Sequence, residues 1–491
     1  MKLKFYRYFA ALTAMVLFAL LVAACGDNTT TTTSAVTTAA STTNASSTTA
    51  AAKATTASAS STTAAATTTN ASSTTAAATT TTVAATGQVT EITFYFPTAV
   101  EGPITKTFDG YAAEFMKANP DVKVKTVFAG GYADVLTKIQ TEVKGGGTTA
   151  DVAIMLSTDL YTLADNDLVV PMETFIKDAK DGDTWLKDFY PAFLANSQAN
   201  GKTWGIPFQR STPVLYYNKD IFKEAGLDPE KSPATFKEMA DIAQKLTKAD
   251  GSRWGIKIPS DGFPYWLYQG FAISNGQNVV GDAANKVTFN TPAALEGLKN
   301  FQSLITDYKA MPKGVIVWGD TPKDFISGNA AMIYHTTGSL TSILSQAKFS
   351  VGVGFLPAGS KGYGSPTGGG NLYIMKKSSA EKQKAAFRFI QFLTQPDRLA
   401  DWTQVTGYVA PRKAAWETDT LKKLVADKPQ YGVARDQLQY AQKELATHEG
   451  AQVQQILGKA VQSVITGDKD PQKALDDAQK EADKLLADYK D

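Results

Sequence analysis

Glu91-Ile92-Thr93-Phe94-Tyr95-Phe96 opens the folded part of this chain, with Ile92, Phe94 and Phe96 alternating as in a half-buried strand. Phe108, Tyr111 and Phe115 then recur at helical spacing until Asn119-Pro120 stops them. Val122, Val124 and Thr126 alternate again, and Val135, Ile139 and Val143 mark a second helix closed by Gly145-Gly146-Gly147. Val152-Ala153-Ile154-Met155-Leu156 is a short apolar run suited to a buried parallel strand. Strand, helix, strand, helix, strand predicts a doubly wound α/β lobe whose ligands collect at the carboxyl ends of the strands.

A second unit begins after Pro207. Val214-Leu215-Tyr216-Tyr217 reads as a strand, and the segment to Ala225 reads as a helix that Gly226 ends. Thr235 and Glu238 have the spacing of a capping box ahead of Met239, Ala243 and Leu246. From Ala380 onward the pattern is helical, with Phe389, Leu393, Leu438, Leu445 and Leu457 as core positions. The chain of 491 residues leaves some 400 for folded structure, too many for one ordinary core, so two lobes are expected.

Upstream, Lys2, Lys4 and Arg7 precede an apolar run that ends in Val22-Ala23-Ala24-Cys25, and Cys25 is the single cysteine. A charged start, an apolar stretch and small residues at the cleavage position are the parts of a secretory signal over residues 1–24. The run resembles a bacterial lipobox, which implies that Cys25 becomes a lipidated N-terminus; a retained transmembrane helix is the alternative. Residues 25–88 are dominated by Thr, Ser and Ala, a composition with too few large apolar groups to offset chain entropy. As a random coil, a tether of about 60 residues spans on the order of 40 Å. Without Lys2, Lys4 and Arg7 the chain holds 46 basic and 47 acidic residues, a net charge of −1. That balance offers no electrostatic case for nucleic acid or for an anionic membrane surface as partner, and leaves a small solute as the expected ligand.

At Gly205-Ile206-Pro207-Phe208-Gln209-Arg210-Ser211-Thr212-Pro213-Val214-Leu215-Tyr216-Tyr217-Asn218-Lys219-Asp220 and at Ala225-Gly226-Leu227-Asp228-Pro229 the chain resembles family 1 extracellular solute-binding proteins of ABC importers. Further likeness lies at Pro233-Ala234-Thr235-Phe236, Thr337-Gly338-Ser339-Leu340, Gly368-Gly369-Gly370-Asn371-Leu372 and Thr406-Gly407-Tyr408, and in Phe325, Gly328, Ala330, Ala331 and Met332. Within the family the likeness is to the glycerol-3-phosphate and sugar-binding type. It implies ligand contacts at Tyr132, Ser211, Thr336, Gly369 and Tyr408. Two charged positions of that type are absent: Ser157 stands where an acid is expected and Gln454 where an arginine is expected. Because Arg is favoured for bidentate phosphate binding, a neutral polyol or oligosaccharide becomes as good a candidate as a glycerol phosphate, with Arg412 the alternative anion partner.

Each of these residues also has a plain structural reading. Tyr132 follows Gly130-Gly131 and either meets a solute hydroxyl or caps a turn; Tyr265, Trp266 and Tyr268 either stack on a sugar face or pack between lobes. Trp204, Trp254, Trp318 and Trp402 are read as core or hinge-facing. His335 and His448, the only histidines, stand in no pattern of a catalytic triad or zinc site, so no enzyme, cofactor or metal is expected. A surface glycoside hydrolase or a structural adhesin is the reading from another class.

The resemblance implies a two-lobed periplasmic-binding-protein-like fold with a hinge, lobe one at 89–208 and 328–369 and lobe two at 209–327 and 370–491, crossing near Pro207, Phe325 and Gly370. It further implies a monomer, held by its lipid anchor on the outer face of the cytoplasmic membrane, that hands its solute to ABC transporter permease subunits.

Overall fold

The computed structural model describes residues 89–100 and 102–490. The expected signal segment, Cys25 and the expected Thr/Ser/Ala tether lie outside the described residues. The first five elements follow the predicted order: β1 (Thr90–Phe96), α1 (Ile104–Ala118), β2 (Val122–Phe128), α2 (Tyr132–Lys144) and β3 (Val152–Leu156). Further along come β4 (Ile206–Ser211), β5 (Pro213–Asn218), α3 (Phe236–Leu246), β6 (Trp254–Lys257), α4 (Pro264–Ser274), β7 (Ala330–Thr336), β8 (Val351–Gly354) and β9 (Gly368–Ile374). The C-terminal part is helical, through α5 (Ala380–Leu393), α6 (Pro396–Thr406), α7 (Gln430–Gln437), α8 (Gly450–Ile465) and α9 (Pro471–Leu486).

Two sheets organise these elements. The first runs β2-β1-β3-β9-β4, with β1 parallel to both neighbours and β9 antiparallel to β3 and β4. The second runs β8-β5-β7-β6. The fold is mixed α/β and two-lobed, as the alternation of elements predicts. Local signals survive in detail: the Glu238 amide donates to the Thr235 hydroxyl at 3.2 Å, starting α3. The returning arm of this cap differs, because the Glu238 carboxylate accepts from the Ala234 amide, one residue before Thr235.

The division of the chain between sheets departs from expectation. β7 and β8, assigned to lobe one, pair with β5, with Pro213 opposite Thr336 and Asn218 opposite Val351. β9 returns to the first sheet, and α5 packs on β1 and β9, so the segment after Gly370 begins in lobe one. Sheet membership therefore changes between Ser211 and Pro213 and between Gly354 and Gly368, not near Pro207 or Phe325. Long-range antiparallel pairing decides this, and it leaves no local trace in the sequence.

The crossings meet at one buried side chain. Gln437, at the end of α7, accepts from the Leu356 amide at 2.7 Å through Oε1. Its Nε2 group donates to Thr212 Oγ1 at 3.1 Å, Pro213 O at 2.8 Å and Ser365 Oγ at 3.2 Å. β5 alternates across this junction: Val214 and Tyr216 join the apolar cluster containing Phe94, Phe108 and Trp402, while Leu215 and Tyr217 join the one containing Leu267, Leu457 and Val461. No helix among the described residues is long and apolar enough to cross a membrane.

Replacing Gln437 by Leu keeps the volume and removes every bond of this knot, leaving the Leu356 amide and the Pro213 carbonyl buried without partners. A loss of roughly 2–4 kcal/mol of unfolding free energy is expected from chemical denaturation.

Candidate functional site

The carboxyl ends of β1 and β3, the start of α2 and the inner ends of β4 and β7 converge on a cleft. An inner chamber of about 30 Å³ is lined by Tyr132, Ser211, Trp266, Thr336, Gly369 and Tyr408, together with Phe263, Trp318 and Glu444. It shares Ala99, Tyr132, Leu156, Phe263 and Trp318 with an outer chamber of about 750 Å³, which adds Asp159, Asp261, Tyr265, Gln454, Lys459 and Gln462. Tyr132, Ser211, Gly369 and Tyr408 come from the first sheet and its helices, Thr336 from the second sheet, Trp266 from α4 and Trp318 from the segment between the helices Pro292–Thr306 and Thr321–Ile326, so both parts of the molecule supply walls.

Backbone geometry sets the side chains in place. Gly130 has φ +86°, and the Gly131 amide donates to Asp134 Oδ2 at 2.7 Å, so α2 starts with Tyr132 facing the cleft. Gly369 has φ +87°, and a Cβ there would stand 2.0 Å from the Gln209 carbonyl oxygen; only glycine fits. Gly407, at φ +91°, ends α6 and turns Tyr408 inward, where its hydroxyl accepts from Gln209 Nε2 at 3.0 Å. Trp266 is held by its indole N–H, which donates to Thr367 O at 2.8 Å.

Buried polar atoms beside the cleft are left without a partner, Ser157 Oγ and Glu444 Oε2 among them, while the Tyr132 hydroxyl has only that of Tyr408 beside it and Thr158 Oγ1 only that of Tyr265. Buried groups of this kind are normally satisfied, and their gathering beside one cavity marks it as a place for a polar occupant. The Tyr265 hydroxyl donates to Glu444 Oε1 at 3.0 Å. Burial pushes the Glu444 carboxyl up to about 8, against the pull of the Arg210 guanidinium. Burial also raises Asp159 to about 7 and lowers Arg210 to about 10. Arg210 lies fully buried behind Gly369, where it donates to Asn371 Oδ1 at 3.1 Å and stacks 5.1 Å from the Phe193 ring.

The remaining expected residues divide. Ser157 sits just beyond Leu156 with a buried, unpartnered hydroxyl, next to the lining rather than in it. Arg412 is not at the cleft. Its Nε pairs with Asp188 at 2.9 Å and its Nη1 donates to Thr394 O at 2.7 Å, so its charge is already committed. Gln454 does line the outer chamber, donating to Leu445 O at 2.8 Å. Tyr268 is core, with its hydroxyl donating to Ala294 O at 2.6 Å.

His335 is structural: Nδ1 lies 3.1 Å from Ser339 Oγ, Nε2 donates to Trp318 O at 3.2 Å, and burial lowers its pKa to about 3. Its ring stacks 4.0 Å from Trp318 and backs that indole against the cleft. His448 pairs with Asp165 at 2.6 Å. Glu444, Asp159 and Arg210 escaped sequence reasoning. The first two are unremarkable among 47 acids, and only Phe263 had a usable signal, its closeness to the aromatic run Tyr265-Trp266.

Known proteins share this architecture. The family described as bacterial extracellular solute-binding protein matches residues 110–430. The chain belongs to this family. A relative from Salmonella paratyphi A, named sn-glycerol-3-phosphate-binding periplasmic protein, is 31% identical over 423 residues, covering 82% of this chain and 94% of the relative. One of the same name from Yersinia pseudotuberculosis is 31% identical, covering 81% and 92%. Among solved structures, a Mycobacterium tuberculosis protein of this type in complex with glycerophosphocholine matches at TM-score 0.72 and 26% identity, over 80% of this chain and 98% of that one. A Listeria monocytogenes ABC substrate-binding protein in complex with cycloalternan matches in fold at TM-score 0.71 and 23% identity, over 81% and 99%. This member of the family is thus an extracellular or periplasmic binding protein and not an enzyme.

The acids of the cleft make the empty protein sensitive to pH. A carboxyl with a folded pKa above its unfolded value of about 4 lets the folded state hold more protons, so stability falls as pH rises from there through the folded pKa. For Asp159 that window closes near pH 7. Thermal denaturation from pH 5 to 8.5 should show Asp159→Asn losing less stability over the interval than the unaltered protein, by a few degrees in Tm.

Proposed function

We propose that this protein captures a small polar solute, a carbohydrate or a glycerol-phosphate-type molecule, between its two lobes and delivers it to the permease of an ABC importer. The observation that carries this reading is the convergence of Tyr132, Ser211, Trp266, Thr336, Gly369 and Tyr408, drawn from both sheets and their helices, on one cleft with unpartnered polar atoms around it. Relatives named for glycerol-3-phosphate and a neighbour holding glycerophosphocholine support the same class. Among the lining residues of the two chambers Lys459 alone carries a cation, and it is exposed. This disfavours a free phosphate dianion and favours a sugar or a phosphodiester. Ser157 is assigned a supporting role through its unpartnered hydroxyl.

The mechanism is closure of the lobes about the crossings that Gln437 ties together, the closed form being stabilised because only there does the solute touch both sides. Residues 1–24 act as signal peptide, Cys25 carries the lipid, and 25–88 tether a monomer to the outer face of the cytoplasmic membrane.

Two measurements test these parts. In thermal-shift and small-angle scattering experiments, a saturating glycerophosphodiester or oligosaccharide should raise the melting midpoint and reduce the radius of gyration. Tyr132→Phe and Ser211→Ala should each weaken that solute by about 0.5–1.5 kcal/mol. An unchanged radius at proven saturation would count against closure. Separately, Cys25→Ala should move the protein from the membrane to the soluble fraction on cell fractionation, with loss of the lipid mass from its N-terminus.

A further inference from the structure

Asp159 and Glu444 are odd residues to find lining a cleft, because no cation among the described residues lies within ion-pair distance of either, and Arg210 acts on Glu444 only from farther off. Asp159 stands in the single turn after β3 with 8% of its surface exposed, and Glu444 lies just before α8 with 2% exposed. Neither forms an ion pair among the described residues. Glu444 Oε1 has the Tyr265 hydroxyl, while Oε2 has no partner. Isolated carboxylates resist leaving water, and each makes the other's ionisation harder. A neutral occupant would leave both in that condition. A positively charged one would relieve them together.

The walls beside them fit a cation of a particular kind. Phe263, Trp266 and Trp318 line the inner chamber with Glu444, and Phe263 and Trp318 continue into the outer chamber with Asp159. The Phe263 and Trp318 rings are 5.0 Å apart at 73°, and Trp266 and Trp318 are 6.2 Å apart at 54°. Rings set at steep angles around a space offer their negative faces to an organic cation. A hard metal ion needs a shell of six or more oxygens, which three aromatic rings do not supply, and no cluster of metal-ligating side chains occurs among the described residues. The buried Tyr132 hydroxyl, beside that of Tyr408 and lining both chambers, is a separate group able to meet a polar part of the same molecule.

We propose that the cleft contains a subsite for an organic ammonium group, formed by Asp159 and Glu444 and walled by Phe263, Trp266 and Trp318, so that the captured solute is cationic or zwitterionic. This rests on the solute-capture reading and narrows it. Arg210, buried on the far side of Gly369, is placed to complement the negative part of a zwitterion through the field it exerts across the β4 and β9 backbone. The groups that share the electrostatics of the subsite are Arg210 on β4, Tyr132 on α2, Tyr265 on α4, Tyr373 on β9, and Asp261 and Lys459 at the outer chamber. Since the two carboxyls lie near neutrality when the cleft is empty, binding of a cation around pH 7 must expel protons.

The test is titration calorimetry with four probes: glycerophosphocholine, its 3,3-dimethylbutyl isostere, in which carbon replaces the ammonium nitrogen and the phosphodiester charge stays, glycerol-3-phosphate and maltotriose. Glycerophosphocholine should bind roughly tenfold or more tightly than the isostere, which has the same shape without the positive charge. Its affinity should rise from pH 6 to pH 9, and its apparent enthalpy at pH 7 should vary with the ionisation enthalpy of the buffer. Asp159→Asn and Glu444→Gln should each lower the ratio of glycerophosphocholine to isostere affinity, a change that mere loosening of the fold, which weakens both alike, would not produce. Equal binding of ester and isostere overturns the subsite, as do variants that weaken both alike. Saturable binding of maltotriose or glycerol-3-phosphate with no preference for the ammonium overturns the subsite and leaves solute capture standing. Failure of all four probes to bind overturns both.

Discussion

The primary amide of Gln437 is the point on which the two-sheet arrangement depends. One side chain, fully enclosed, holds the Thr212-Pro213 crossing, the Leu356 and Ser365 positions of the second crossing and the end of its own helix. An amide serves where a carboxylate or an alkyl group would not, because the site presents one donor and three acceptors at once, and low surrounding polarity strengthens such bonds. Asn196 repeats the device nearby, accepting from the Glu444 amide at 2.8 Å and donating to the Glu444 carbonyl at 3.1 Å. Glu444 is therefore mounted on the same kind of polar knot that joins the sheets. Motion of one lobe against the other would be felt at the cleft through these bonds.

The chemistry of the cleft follows from what lies outside it as much as from what lines it. Arg412, the cation expected as an anion partner, is drawn off by Asp188 and Thr394. Arg210 is withheld behind a glycine, fully buried. The lining is then left with aromatic faces, hydroxyls and two enclosed carboxyls. A helix N-terminus adds a modest favourable field for an anion at Tyr132, so the cleft has one mildly positive end and one acidic, aromatic end. His335 contributes indirectly: neutral, with both ring nitrogens engaged, it backs the Trp318 indole that lines both chambers.

Much of the cleft lining is legible in the sequence, and for a definite reason. Tyr132, Ser211, Thr336, Gly369 and Tyr408 sit beside turns whose glycines or strand ends leave a recognisable local pattern, and Gly369 and Gly407 occupy backbone conformations that other residues rarely adopt. Glu444 and Asp159 carry no such mark, since burial and lack of a partner are properties of packing and not of neighbours in the chain. The misplacement of Arg412 has the same origin. Its partner Asp188 is 224 residues away in sequence, and only folding brings them together.

Neighbouring residues suffice to specify the local elements: the alternating strands β1 and β2, the helices whose apolar faces recur at 3.6 residues, the Thr235 cap, and the glycine turns that aim Tyr132 and Tyr408. They suffice for the family too, through motifs that are local runs. Which strands share a sheet is another matter, since β7 and β8 go to β5, and β9 goes back to β3 and β4, only in the folded chain. The same holds for which charges are spent in ion pairs and which are left facing the cleft. Short-range periodicity is written into adjacent residues by backbone geometry, whereas strand pairing and electrostatic compensation depend on groups hundreds of residues apart whose distances exist only once the chain has folded.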